Sequence, residues 1–531
     1  MKNKNGCYVN IDIDVLAYIL NATCNNFSNL EEKLELYVEG YKNHGISDLI
    51  FNVFGQSSVV PTKVVDWFYD TYSRKVEDGK PVDYTNAPHP KSVRMAYDAV
   101  KDPMSYMMDV AKKDFNVWLS YRMNDCHHCY LETSELRSET LYYHAKKNGG
   151  FLPEHLSPKP YHGLLNYADE HIRSVMLDYI RETLFNYPPY GIELDFLREP
   201  FCFDYEKTPE ACEIMTDLMT KVKDIVNGYE KEHGKKVKIL VRLVRDIDNN
   251  KIFGFDVREW IKRGLVDVLS PCSRWSDTDS DMPISEWKAL CEGTDVEIAA
   301  GLEFYLWNNI KVDAESARGL SAQYFDEGAD KIYLYNHYRE AVALPDMTEW
   351  NKAHPGFKLF EEATDNTDDK QAWNMDRLAA IDRDKIKIWE AAENLSSAKS
   401  KTRRHVLTFT EPCLVPKGGK PFMPLPLTVE GKATLEKLTG DITDGKVTLY
   451  LGVKKDAVPP KVTVDGSEAK LVGKTRDAYF AAPEYDGNAP EAFISLDYYA
   501  YEPKVNSGNV RSLEFFSDST TVEYLEFKVE V

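Results

Sequence analysis

The sequence predicts an α/β chain: a (β/α)8 TIM barrel followed by a C-terminal all-β sandwich. Three observations predict it. Eight short apolar runs alternate with helical signals over the larger, N-terminal part of the chain. No glycine-rich phosphate fingerprint follows any of these runs, which speaks against an open doubly wound sheet. After about Asn394 the helical periodicity stops and short alternating runs replace it. A barrel takes about 250 residues or more. The 531 residues therefore divide into a catalytic barrel over 1–395 and a sandwich over 396–531.

The strands are expected at Tyr8–Ile13, Asp48–Phe54, Phe115–Tyr121, Gly191–Phe196, Val237–Val244, Val266–Leu269, Val296–Ala300 and Lys331–Tyr335. Each is rich in Val, Ile, Leu or aromatics, as suits strands covered on both faces. Between them, Thr208-Pro209-Glu210 reads as an N-cap, a first-turn proline and an acidic first turn. Met215, Met219, Val222 and Val226 follow at helical spacing. Asp256 and Asp313 are placed to cap two further helices, with Gly264 and Gly328 beyond their ends. Two loops on the catalytic side are long, 55–90 and 122–167, and long ordered loops usually serve function. In the C-terminal part, prolines 412, 416, 421, 424 and 426 precede the runs Val447–Val453, Val462–Val464, Ala492–Leu496 and Val522–Val531. Such an appendage either packs on the barrel as a lid or binds carbohydrate.

A formal net charge of −21 argues against a nucleic-acid or acidic-membrane partner, which needs a basic face. Nine cysteines, an odd number in a large chain, point to a reducing compartment rather than a disulfide framework. No signal peptide or membrane-length apolar run is evident, so a cytoplasmic location is expected. No cofactor is expected.

Candidate chemistry sits at strand ends, where this fold places its active sites. In Gly191-Ile-Glu-Leu-Asp-Phe196, alternation turns Glu193 and Asp195 toward the barrel axis. Buried acids need partners, and Arg242 on the fifth strand is positioned to supply one. The alternative is a purely structural ion network. Asp195 lies nearer the mouth and is the preferred catalytic carboxylate, with Glu193 as a substrate contact. The seventh strand ends at Glu303, followed by Phe304, Tyr305 and Trp307. Two carboxylates can divide acid and nucleophile or base roles at a glycosidic bond, and aromatic faces stack on sugars. Arg122, Asn124, His127, Arg198, Tyr305, Asn336 and His337 are the remaining expected substrate contacts. Cys126-His-His-Cys129 is too crowded to converge on one tetrahedral ion and lacks a second ligand pair, so no metal is expected. Arg245 and Asp246 read as a surface ion pair.

Three stretches together resemble bacterial barrel proteins identified as family-10-like glycosyl hydrolases. They are Gly191-Ile-Glu-Leu-Asp-Phe-Leu-Arg198, Phe255-Asp-Val-Arg-Glu-Trp through Asp267-Val-Leu-Ser-Pro271, and Arg318-Gly-Leu-Ser with Gly328-Ala-Asp-Lys-Ile-Tyr-Leu-Tyr-Asn336. The resemblance spans about residues 5–345 and implies a sugar-active barrel. Barrel glycosidases often carry an acid/base on strand four and a nucleophile on strand seven, the strands of Asp195 and Glu303. Their Asn-Glu pair is absent here, since Leu194 precedes Asp195. The Gly-Ile-Glu-Leu-Asp run is also similar to chitinase strands, but Leu197 stands where their catalytic glutamate would be. The expected function is a glycoside hydrolase acting on oligosaccharides or glycosides through the Asp195 and Glu303 carboxylates. The alternatives are a sugar-binding barrel without catalysis, and a lyase or isomerase using His127 or His337 as base.

Overall fold

The computed structural model describes residues 6–12, 15–16, 30–42, 45–55, 57–67, 76–77, 80–81, 96–125, 139–153, 163–204, 207–273, 279–303, 305–307, 310–311, 314–337, 395–409, 425–426, 428–481 and 495–531. The first 337 positions hold the elements β1 (Cys7–Ile11), α1 (Leu30–Glu39), β2 (Ile46–Gly55), α2 (Pro103–Ala111), β3 (Asn116–Arg122), α3 (Glu170–Asn186), β4 (Gly191–Asp195), α4 (Ala211–His233), β5 (Lys238–Val244), α5 (Val257–Lys262), β6 (Val268–Cys272), α6 (Ile284–Leu290), β7 (Glu297–Leu302), α7 (Ala314–Asp326) and β8 (Lys331–His337). Each strand pairs in parallel with its sequence neighbour, and β8 returns to β1, so the sheet closes into an eight-stranded barrel. Every expected barrel strand overlaps an observed one, and the largest offset among them is at β6, where the Pro271-Cys272 end carries the strand further than its apolar run.

Helix α4 shows why the outer layer forms. Met215, Leu218, Met219, Val222, Ile225, Val226 and Tyr229 are buried at the i, i+3, i+4, i+7 spacing that gives a helix one apolar stripe. Each buried side chain of this size contributes about 1.5–3 kcal/mol. The helix stops at Gly234, whose φ of +66° is left-handed. Its start differs from expectation. The helix begins at Ala211, and Thr208 accepts from the Ala211 N–H through its backbone oxygen rather than capping by its side chain. Asp256 does cap α5, its carboxylate accepting from Glu259 N at 3.2 Å.

The C-terminal part is antiparallel: β9 (Arg403–Val406), β10 (Ala433–Leu438), β11 (Lys446–Lys454), β12 (Lys461–Val464), β13 (Lys470–Lys474), β14 (Leu496–Glu502), β15 (Val510–Phe516) and β16 (Thr521–Glu530). One sheet runs β9-β16-β11-β14-β13 and the other β10-β15-β12. Leu449, Leu451, Leu525 and Phe527 from the first meet Val462, Val464, Leu513 and Phe515 from the second in one core, which makes the pair a sandwich.

The sandwich packs on the barrel's helical layer. Arg404 of β9 bonds Glu315 of α7 and, at 2.6 Å, the buried Glu526 of β16. Gly319 on α7 lies so close to β9 that an added Cβ would be 1.9 Å from the Arg404 carbonyl oxygen. Asp326 at the end of α7 accepts from the backbone N–H of Asp441 at 2.7 Å. No helix among the described residues is long and apolar enough to cross a membrane.

Candidate active site

Polar side chains enter the barrel interior at several heights, and strand register sorts them into levels. At the amino ends of the strands lies a floor. Asp48 accepts from Asn116 and the Trp118 indole, both at 2.9 Å, and from Lys331 at 2.8 Å. Beside it Tyr8 and Lys238 both bond Glu297, at 3.2 and 2.8 Å. Gly191 makes room for the Trp118 ring, since a Cβ there would sit 2.3 Å from it.

One level higher is Glu193. Asn10 donates to its Oε2 at 2.8 Å, and the Tyr333 hydroxyl donates to its Oε1. Burial, with the adjacent Asp195 charge, pushes its carboxyl up to about 7.

The mouth level holds Arg122, Asp195 and Arg242, which are register partners on β3, β4 and β5. Arg242 is buried, with its guanidinium carbon 3.4 Å from the centre of the Tyr335 ring on β8. Its Nη1 donates to Asp195 Oδ1 at 3.0 Å and its Nη2 to Glu303 Oε1. One fork therefore joins the carboxylates that end β4 and follow β7. The two bonded oxygens lie within roughly 8 Å of each other, a bound set by two hydrogen bonds and the width of one guanidinium.

Asp195 Oδ1 also accepts from the backbone N–H groups of Leu197 and Arg198, at 3.0 and 2.9 Å. Three donors thus fix one oxygen, while Oδ2 is buried and has no partner among the described residues. Glu303 is arranged alike: Oε1 is held and Oε2 is buried without a described partner. Burial pushes the Glu303 carboxyl up to about 7; the Arg242 and Arg198 charges oppose that rise and Asp195 adds to it.

The other expected contacts divide. Arg122 is buried and held by Asp12 at 2.8 Å and Asp125 at 3.0 Å, and Arg198 lies 3.6 Å from the same Asp125 oxygen. These two arginines share the mouth with the carboxylate pair. Asn124 is used by the chain itself: its amide donates to the Leu165 and Phe201 carbonyls and accepts from Leu165 N, at 2.8–3.1 Å. It ties the loops after β3 and β4 together. Tyr305, Asn336 and His337 lie in strands, but their side chains are outside the described residues, and His127 and the Cys126–Cys129 segment are wholly outside them. Among the described residues no three His, Cys, Asp or Glu side chains group to hold a metal ion.

Arg245 corrects the sequence reading. It is buried rather than on the surface, bonding Asp246 at 2.9 Å together with the Asp279 carboxylate and the Asp281 carbonyl. It joins the loops after β5 and β6, a long-range pairing that local sequence does not reveal. Sequence reasoning also missed Tyr335. The signal lies in the parity of β8, where Tyr333 and Tyr335 alternate inward just ahead of Asn336 and His337.

No family model matches the chain, and no curated protein matches it in sequence. Among solved structures, an alpha-amylase from Geobacillus thermoleovorans complexed with acarbose is 10% identical over 100% of this chain and 99% of its own, with a TM-score of 0.35. A Thermotoga maritima alpha-fucosidase in complex with fucose is 12% identical over 99% of this chain and 95% of its own, at 0.34. A beta-glucosidase from Pyrococcus furiosus is 12% identical over 64% of this chain and 86% of its own, also at 0.34.

Proposed function

We propose that this chain is a glycoside hydrolase acting on oligosaccharides or small glycosides, with Asp195 and Glu303 as its working carboxylates. The observation that carries the reading is their shared arrangement. Each is anchored through one oxygen by the Arg242 fork, and each keeps a second, buried oxygen with no described partner. Buried polar atoms are normally satisfied, so two orphan carboxylate oxygens at a barrel mouth suit a ligand that supplies the missing bonds.

The roles follow from the surroundings. Glu303, raised to about 7 by burial, holds a proton near neutrality and serves as the general acid to the leaving oxygen. Asp195 offers the free Oδ2 on the other side as nucleophile or as base to water. Arg242 stays charged and neutralises part of the pair. Carboxyl separations of about 5–5.5 Å go with retention and about 6.5–9.5 Å with inversion, and the bound set by the shared guanidinium admits both. Arg122 and Arg198 complete the substrate-facing wall.

The test is a screen of 4-nitrophenyl glycosides, followed by D195N and E303Q on whichever substrate turns over. Each variant is expected to lose roughly 10²–10⁴ in kcat, the usual contribution of a positioned acid or base, while folding as the parent does. Full turnover in either one rules out the pair. Sugar binding with no turnover in the parent would instead favour a barrel that recognises sugars without cleaving them.

A further inference from the structure

Tyr335 stands apart from the groups used so far. It lies on β8, and in an eight-stranded ring β8 is opposite β4. Yet the charges of Asp195 on β4, Arg122 on β3 and Arg198 beyond β4 all act on its phenol. The phenol therefore belongs to the same mouth as these charged groups. Its ring lies against the Arg242 guanidinium, the same group that joins Asp195 and Glu303. The residue is 3% exposed, and its hydroxyl has no hydrogen-bond partner among the described residues.

Every comparable tyrosine in the barrel is treated differently. Tyr8 bonds Glu297, Tyr333 bonds Glu193, Tyr121 bonds Thr183 and Tyr179 bonds the Val53 carbonyl. An unpaired buried hydroxyl costs stability. A phenylalanine would present the same face to Arg242 without that cost, so the ring stack alone does not explain a tyrosine here.

We infer that Tyr335 is a substrate-binding residue whose hydroxyl bonds a hydroxyl group of the sugar ring seated between Asp195 and Glu303, and that it thereby sets specificity for that hydroxyl. The inference rests on the carbohydrate reading of the same mouth. The ring forms the back of the site, and the phenolic oxygen meets the substrate beside the two free carboxylate oxygens. A site built to bond a substrate hydroxyl discriminates strongly against the analogue that lacks it, because its own polar group is then left unpaired.

The experiment is Y335F in the full chain. Binding of glucose, galactose, mannose, xylose and fucose is followed by saturation-transfer NMR, and turnover by the glycoside that the parent cleaves. Y335F is expected to weaken binding of the preferred sugar by roughly 10- to 100-fold, with an unfolding temperature equal to or above the parent's. The loss should vanish for the one deoxy sugar that lacks the bonded hydroxyl. Equal binding by Y335F and parent overturns the inference and leaves the carboxylate pair to be judged by D195N and E303Q. Weakened binding in a chain that turns over nothing keeps the inference and removes the hydrolytic reading. A parent that binds none of the five sugars overturns the inference, as does a lowered unfolding temperature for Y335F, which would give the hydroxyl a structural partner.

Discussion

The two ends of the barrel interior are built from the same residue types and finished differently. At the floor, Asp48 has three described nitrogen donors, and Glu297 has two donors, one on each oxygen. At the mouth, Asp195 and Glu303 each have one engaged oxygen and one buried oxygen without a described partner, and the Tyr335 hydroxyl is likewise unpartnered. A satisfied polar network rigidifies a core, whereas an unsatisfied one in the same low dielectric is costly. On the proposed reading the difference separates scaffold from site: the floor closes the barrel, and the mouth leaves polar atoms for a ligand to meet.

Breaking the floor should therefore cost the most stability. D48N would leave the Lys331 ammonium facing an amide instead of its carboxylate partner in a fully buried place. Removing one partner of a buried ion pair costs about 3–5 kcal/mol, and equilibrium urea unfolding should show a loss of that order. The matched change at the mouth, E303Q, keeps the side-chain shape and removes a carboxyl that burial already disfavours in its charged form. Its unfolding free energy should stay within about 1 kcal/mol of the parent's, the range of most tolerated changes. Equal losses in the two variants would erase the distinction between the ends.

A second separation appears with pH. Glu303 and Glu193 are raised by burial to about 7 from the ordinary glutamate value of 4.5. Between those values the folded chain holds protons that the unfolded chain has released. The folded state then binds more protons, so stability falls as pH rises from about 4.5 to about 7. Glu327, outside the mouth and also raised to about 7, adds the same slope. The sandwich contributes the opposite one. His405 on β9 is 1% exposed, and burial, with the Arg403 and Lys399 charges, lowers it from 6.5 to about 3. Here the unfolded chain binds more protons, so stability is lost as pH falls from about 6.5 toward 3. Thermal unfolding across pH 4–8 should show E303Q and E193Q each flattening the neutral limb, and H405L flattening the acid limb. A neutral limb unchanged in both glutamine variants would mean that these carboxyls ionise as freely folded as unfolded.

Much of this was legible in the sequence because the barrel repeats a short-range pattern. Apolar runs locate the strands, and residue parity within Gly191–Asp195 alone turns Glu193 and Asp195 inward. The mouth was legible less completely. Asp195, Arg242 and Glu303 come from three separate strands, and their meeting at one guanidinium depends on barrel closure, which spacing along the chain does not encode. Asn124 looked like a substrate contact because it is polar and follows a strand, yet its amide ties two loops through backbone groups far away in sequence. Arg245 is likewise buried by partners more than thirty residues away in sequence. In the sandwich, β10 and β15 were not read as strands because Lys437, Arg511 and Glu514 break the apolar alternation with side chains that find long-range partners or solvent.

The smallest effect gives the sharpest comparison, because it removes the same atom from both ends. Tyr8 on β1 and Tyr335 on β8 are both buried barrel-strand tyrosines, 1% and 3% exposed. Tyr8 donates to Glu297 Oε2 at 3.2 Å, whereas the Tyr335 hydroxyl has no described partner. Each ring also stacks against a cation: Lys331 is 4.5 Å from the Tyr8 ring and Arg242 is 3.4 Å from the Tyr335 ring. A phenylalanine preserves both stacks. Y8F then loses one hydrogen bond and leaves an oxygen of Glu297 without its donor, a cost of about 0.5–1.5 kcal/mol. Y335F loses no described bond and relieves the burial of an unpaired hydroxyl, so its stability should equal or exceed the parent's. Urea midpoints for the two variants, measured side by side, should therefore move in opposite directions or differ by the worth of one hydrogen bond. If both fall together, the Tyr335 hydroxyl is part of the scaffold, and the mouth is as finished as the floor.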